Sequence, residues 1–284
     1  MNRRILILGS GGQIGAYLTD YLNSIGYEVL EFDIANGLHQ DMTEIPNPEL
    51  HRKIMLSHFV FFLAFDVGGS HYLKKYQHTF KFIDNNARMM ANVFGLLEKY
   101  DKPFVFASSQ MSNMSYSPYG VMKRVGELYT KSLGGLIVKF WNVYGIEKDM
   151  EKAHVITDFI RKGFETGVID MMTDGTESRE FLYAEDCCEG LEAVMGNYDR
   201  LTSDDELHIT TGNSTTILEI AHIIQKLFSN IGKEIVIKPA ESKDEVQKDA
   251  KNVSDPYIQK FWRSTTSVKE GLTKVFYEMK KNYE

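Results

Sequence analysis

The sequence predicts an α/β architecture, a doubly wound parallel sheet followed by a smaller mixed α/β C-terminal lobe, on three observations. Through the first half, apolar runs of strand length alternate with segments of helical period, the pattern of parallel strands covered by helices on both faces. A glycine-rich turn joins the first strand to the first helix. The 284 residues, 43% hydrophobic and 25% charged, carry enough apolar material for one large domain or two unequal lobes and exclude disorder as the main state.

Taken in order, the strands fall at 4–8, 28–32, 59–64, 104–108 and 136–141. Helical period marks 14–25, 71–100 and 119–133, the middle one long and bent or broken near Asp84 to Asn86. After Tyr144-Gly145 the elements shorten: helices at 154–166 and 184–196, a strand at 207–210 and an amphipathic helix at 217–228. The expected division is therefore 1–145 and 146–284, with interleaving permitted. Residues 242–251 are polar and lack Pro and Gly, and read as an exposed loop or helix.

Charge narrows the partners. Thirty-two Lys and Arg against 39 Asp and Glu leave a net −7, which repels phosphate backbones and anionic membranes, so neither nucleic acid nor a membrane is expected as a partner. No run of 18 apolar residues occurs, and Met1-Asn2-Arg3-Arg4 leads straight into a strand without a cleavage site, which reads as cytoplasmic. The cysteines are the neighbours Cys187 and Cys188, and no Cys/His pairs stand at zinc-ligand spacing, so neither disulfide nor metal is expected.

Gly9, Gly12 and Gly15 follow the first strand with G-x-x-G-x-x-G spacing and enclose Gln13 and Ile14. Such a turn can bring bare N–H groups against a pyrophosphate in a Rossmann-like domain, or it can be a tight connection without a ligand. Position favours the ligand: Asp33 ends the second strand, where a carboxylate can accept from the adenosine ribose hydroxyls and repel a 2′-phosphate. NAD is thus expected over NADP, which makes 1–145 a dinucleotide-binding domain and 146–284 a substrate-binding lobe. Asp41 stands either at the adenine edge or in a solvated loop.

Tyr119 and Lys123 lie at i and i+4 on one helical face after Ser117-Pro118. A phenol with a pKa of about 10 becomes a useful base near neutrality only if its anion gains about 4 kcal/mol of stabilisation. A neighbouring ammonium and a positive nicotinamide together could supply it. Ser108-Ser109, ending the preceding strand, offers a hydroxyl for the oxygen whose proton Tyr119 would move.

With these residues in place, the sequence resembles the extended short-chain dehydrogenase/reductase family, in its branch of NAD-dependent nucleotide-sugar epimerases, dehydratases and reductases. The resemblance covers roughly residues 4 to 275. It rests on Gly9/Gly12/Gly15, Asp33, Phe62-Leu63-Ala64, Asn86 with Asn92, the strand ending in Ser108-Ser109, Tyr119 with Lys123, Asn142-Val143-Tyr144-Gly145, and the segment from Asp174 to Phe181 containing Arg179. It implies Tyr119 as acid/base, Lys123 on the nicotinamide ribose and Ser109 on the sugar oxygen. Leu63 and Ala64 would line the cofactor, Asn86 would be structural, and Asn142 and Arg179 would approach the diphosphate of a nucleotide-diphosphate sugar. A homodimer is implied through the long helix and the one bearing Tyr119, with Phe94 and Leu97 compatible with such a face.

Two departures refine this. Where dehydratases carry an Asp-Glu pair after the catalytic hydroxyl, Gln110 and Met111 stand here, and neither does acid/base work. Only nine residues separate Ser109 from Tyr119, so the sugar pocket should be open or closed by another segment. The histidines at 71, 78 and 154 read as surface or loop residues, His71 being the best exception, and Arg179 has Glu177 or Glu180 as an alternative surface partner. The expected activity is hydride transfer at a sugar carbon, C4 foremost, in an epimerase. A 4-keto reductase or dehydrogenase is the alternative, and an idle NAD-binding regulatory module is the alternative of another class.

Overall fold

The computed structural model describes residues 3–247 and 253–284. In chain order the elements of the first half are β1 (Arg4–Leu8), α1 (Gln13–Ser24), β2 (Glu28–Phe32), α2 (Pro48–Leu56), β3 (Phe59–Phe62), α3 (Ser70–Tyr76), α4 (Phe80–Tyr100), β4 (Phe104–Ser109), α5 (Pro118–Ser132) and β5 (Leu136–Phe140). The second half adds β6 (Asn142–Tyr144), α6 (Val155–Glu165), β7 (Val168–Asp170), β8 (Ser178–Tyr183), α7 (Ala184–Gly196), β9 (Leu207–Ile209), β10 (Ser214–Thr216), α8 (Ile217–Asn230), β11 (Val236–Lys238) and α9 (Val268–Lys280).

Six parallel strands form the main sheet in the order β2-β1-β3-β4-β5-β9. Strands buried on both faces need unbroken apolar runs, and Ile5 to Leu8 and Phe59 to Phe62 supply them, all fully buried. One face is covered by α1 and α7 through Leu18, Leu22, Leu191 and Val194, with Cys187 and Cys188 as small packed side chains among them. The other carries α2 and α4 through Leu50, Ile54, Met90 and Val93. The order reverses between β1 and β3, which opens a crevice at the strands' carboxyl ends, the usual ligand position in such sheets.

The smaller lobe packs α6, α8 and α9 around Ile160, Ile220, Phe228 and Phe276, beside the β10-β8-β6 and β11-β7 sheets. The chain crosses between the lobes, because α7 and β9 return to the large sheet.

Two expectations change. The long helical stretch breaks at 77–79, not near Asp84 to Asn86, because Thr79 caps α4 by accepting from Phe82 N at 3.3 Å. Asn86 instead braces the loop that follows β3, accepting from Asp66 N at 2.8 Å. Phe94 and Leu97 face inward, each 2% exposed, because the rings of Phe62, Phe104 and Phe106 enclose Phe94 from the sheet side. They are core residues of this chain and cannot form a partner face.

Candidate functional site

The glycine turn is held by the strand beside it. Gly9 has φ +94°, and a Cβ there would lie 2.7 Å from Ala64 N, so β3 and the turn are pressed together. A Cβ on Gly15 would lie 2.0 Å from Gly9 O, so the helix packs directly on the turn. Gly12 differs, since a Cβ would meet only Gly9 O at an ordinary 3.4 Å. Its missing side chain leaves open space where α1 begins without a side-chain cap or an acidic first turn. The first N–H groups of α1, from Gln13, Ile14 and Gly15, lie beyond the reach of intrahelical bonding and are suited to a phosphate.

Asp33 sits against this turn. Its Oδ2 accepts from Gly11 N at 3.0 Å and its Oδ1 from Ala35 N at 2.8 Å, so the carboxylate is fixed in orientation and retains lone pairs for hydroxyls. Gly11, which the sequence does not single out, fixes it together with Ala35. Leu63 and Ala64 follow β3 directly, beside Gly9, both N–H groups donating to Leu8 O at 2.9 and 2.8 Å. Gln13 contributes backbone here rather than its side chain. Its amide, oriented to satisfy both ends, donates to Val143 O at 3.2 Å and accepts from Gly145 N at 3.1 Å. Asp41 is engaged locally, its Oδ1 accepting from Thr43 N and Oγ1, each at 2.8 Å. The donor set and the open space at Gly12 fit a dinucleotide.

Further along the sheet edge, Ser109, Tyr119 and Lys123 come together. Ser109 ends β4 at 6% exposure and caps the next turn by accepting from Met111 N at 3.1 Å. Ser117 caps α5 and so sets the register that turns Tyr119 and Lys123 to the same buried face. Tyr119 is 8% exposed, with the Ser109 hydroxyl as a polar neighbour of its phenol. Lys123 is 3% exposed; its Nζ donates to Ala107 O at 2.6 Å and lies 3.8 Å from the Phe65 ring centroid.

The expected lowering of the phenol is not a property of these side chains alone. Burial pushes Tyr119 up to about 12, and the neighbouring Ser109 hydroxyl offsets only part of this. Burial likewise pulls Lys123 down to about 7, against the attraction of Glu127. The buried carboxylate of Glu127 accepts from Ser108 Oγ at 2.6 Å and pairs with Arg124 at 2.7 Å. These side chains alone therefore leave the phenol protonated near neutrality.

Beyond Tyr119 opens a cavity of about 210 Å³, lined by Ser109, Tyr119, Asn142, His154, Arg179 and Asp244 among others. Asn142 Nδ2 donates to Glu180 O at 3.4 Å. Arg179 is 8% exposed and pairs with Asp244, not with Glu177 or Glu180 as the sequence allowed. Glu180 is turned to Thr210 Oγ1 and Gly212 N at 2.9 and 3.1 Å. The segment read as a solvated stretch thus walls the cavity as far as residue 247; residues 248–251 of it lie outside the described residues.

His71 lines the cavity, and His154, set aside in the sequence reading, lines it too. The His154 Nδ1 stands 2.6 Å from Glu147 Oε1, and its backbone N donates to Oε2 at 2.9 Å. Burial acts against its charge, yet the carboxylate more than compensates and raises the imidazole above its ordinary value. The only sequence signal for it was a histidine at a helix start.

A glycine turn with an acidic residue just after the second strand, combined with a Ser–Tyr–Lys set at the carboxyl end of β4 and the start of α5, defines an extended short-chain dehydrogenase/reductase. Comparison with known proteins agrees. The chain belongs to the NAD dependent epimerase/dehydratase family, whose model matches residues 5–210, and NAD is its cofactor. It is 25% identical to a GDP-L-fucose synthase of Sinorhizobium fredii, covering 96% of this chain and 94% of that one. It is 22% identical to UDP-glucuronic acid decarboxylase 1 of Xenopus tropicalis, covering 99% and 73%. A Thermotoga maritima UDP-glucose 4-epimerase solved with UDP-glucose shares the fold at a TM-score of 0.79 and 21% identity, covering 99% of this chain and 100% of that one. No helix among the described residues is long and apolar enough to cross a membrane.

Proposed function

We propose that this chain changes the oxidation state of a ring carbon, C4 foremost, in a nucleoside diphosphate sugar, and that its net reaction is epimerisation. The observation that carries this reading is the placing of Ser109 and Tyr119 together on the wall of a cavity that Arg179 also lines. The pair can hold and deprotonate a hydroxyl, and a guanidinium suits a diphosphate.

NAD, when bound, supplies a ring that accepts and returns hydride. The chain supplies the rest. Ser109 Oγ holds the sugar oxygen, Tyr119 Oη takes its proton and later gives it back, and Lys123 adds positive charge beside the phenol and a donor for the ribose. A sugar oxidised, turned and reduced again leaves as its epimer; one released as the ketone makes the enzyme a dehydrogenase. The segment after residue 145 acts in this reading as the substrate lobe.

A 4-keto reductase is the second reading, because the same Ser109 and Tyr119 on the cavity wall can hold the oxygen of a C4 ketone and give it the one proton it takes as hydride reaches the carbon.

The test is incubation with a panel of UDP-, GDP- and dTDP-sugars, following absorbance at 340 nm and the sugar by NMR. Epimer formation without net absorbance change is expected. Turnover only of 4-keto sugars with loss of NADH would establish the reductase, and firm NAD binding without turnover of any sugar would overturn both in favour of a regulatory module.

A further inference from the structure

We infer that residues 242–247 form a strap that a substrate diphosphate must lift, with Asp244 as the residue that makes the cavity select for that group; this rests on the nucleotide-sugar reading above. All six residues line the cavity. On the small-lobe side, Ser242 O accepts from Asp174 N at 2.9 Å, Ser242 Oγ donates to Met172 O at 2.6 Å, and Lys243 pairs with Asp174. On the other side, Gln247 Oε1 accepts from Gln110 Nε2 at 3.1 Å, next to Ser109, and Glu245 meets Lys74 of α3 at 3.4 Å. The strap therefore ties the two lobes together and closes the space left by the short connection between Ser109 and Tyr119.

Asp244 joins two functions in one carboxylate. Its Oδ2 takes Arg179 Nη2, while its Oδ1 accepts from Val246 N at 2.8 Å and Gln247 N at 3.3 Å. Those two bonds shape the turn that presents Val246. Val246 is 7% exposed and belongs to the apolar cluster of Tyr119, Met111, Met114, Leu73 and Phe82. The carboxylate occupying the guanidinium thus also holds an apolar side chain against the surroundings of the phenol.

A ligand that takes Arg179 must displace Asp244. Because Oδ1 is part of the same carboxylate, the turn moves with it and Val246 leaves the cluster around Tyr119. A diphosphate is suited to this exchange. It offers several charged oxygens for a bidentate contact where Asp244 uses one, and Lys74, Lys162 and Lys243 also line the cavity. A sugar without phosphate offers Arg179 nothing that outcompetes a carboxylate, so it leaves the strap down and the phenol covered. Anion recognition and access to the proton carrier are one event.

The experiment compares the full chain with Asp244→Asn, both with NAD, by calorimetry with UDP, GDP and dTDP as probes. Asparagine keeps an acceptor for the two backbone amides and removes the charge from Arg179. The variant should bind the best of the three at least tenfold more tightly, and in the wild type that probe should speed amide hydrogen exchange at 242–247. Unchanged or weaker affinity in the variant, or unchanged exchange, overturns the strap while wild-type binding leaves the nucleotide-sugar reading standing. Binding of no probe by either protein overturns both. Should Asp244→Asn fail to fold, as judged by lost NAD binding, Val246→Ser replaces it: weakening the apolar seat should tighten the same probe several-fold, and unchanged affinity again overturns the strap.

Discussion

The cofactor edge and the cavity roof are built in opposite ways. At the edge, Gly9, Asp33 and Ala64 meet because β1, β2 and β3 are parallel neighbours that end side by side. Every contact there follows from strand order, and backbone leaves no room for adjustment. Over the cavity, Arg179 meets a residue 65 positions away and Gln110 one 137 positions away, through side chains that can let go. A phosphate-binding turn gains from being immovable. A substrate cavity needs an entrance, and releasable ion pairs provide one.

The largest expected effect concerns the junction of the two regions. Tyr119→Phe removes the proton carrier and keeps the ring that packs on Phe65. Turnover should fall about 10²–10⁴-fold while NAD affinity is unchanged, as read by initial rates and calorimetry. Activity within a few-fold of wild type would hand the proton to another group, with His154 the first to examine.

Next comes the rigidity of the edge itself. Gly15→Ala forces a carbon to within 2.0 Å of Gly9 O, where the opposing atom is backbone. It should destabilise the fold by about 1–3 kcal/mol and weaken NAD binding. Gly95→Ala, in α4 with nothing within 4 Å of its added carbon, is the control. It should raise stability by about 0.5–1 kcal/mol. Similar denaturation midpoints for the two variants would show that the turn yields more than its geometry indicates.

Asp33→Ala acts on the same edge through chemistry rather than packing. It removes the carboxylate fixed by Gly11 and Ala35, and with it the repulsion of a 2′-phosphate. The NAD/NADP preference, measured as a ratio of dissociation constants, should relax by about tenfold, the equivalent of 1.4 kcal/mol. An unchanged ratio would remove Asp33 from the ribose.

What the sequence made legible follows the same division. The main sheet strands, the turn and the Ser109–Tyr119–Lys123 set are fixed by local period and by i, i+4 geometry on one helix. They appear where the residues alone placed them. The helix break went to Thr79 because a cap outweighs the asparagines further on, whose amides have tertiary partners. Phe94 and Leu97 looked available because helical period cannot say which of two apolar stripes meets the sheet. Asp244, Val246 and Glu127 have functional surroundings only through contacts made after folding, and a polar stretch without Pro or Gly gives no hint of the guanidinium it will meet.

The smallest effect belongs to a short-range pair, His154 on the cavity wall with Glu147 behind it, seven positions apart. The imidazole is raised above its ordinary value, so its contribution to stability is complete below that value and is lost as pH rises through the folded one. Burial works against the Glu147 charge, but the His154 bonds prevail and lower its carboxyl, so that contribution is present above the ordinary carboxylate value and is lost as pH falls through the folded one. Both are in force together at roughly pH 5 to 6. With the His154 side chain 43% exposed, solvent screening holds the net stabilisation to about 1 kcal/mol or less. His154→Gln keeps a donor for the carboxylate and removes the charge. Its deficit in thermal midpoint should therefore be largest at pH 5 to 6 and shrink towards pH 8, roughly the window set by those two shifts. A deficit equal at every pH would mean that the pair contributes shape alone and that the cavity wall, at this point, is built like the cofactor edge.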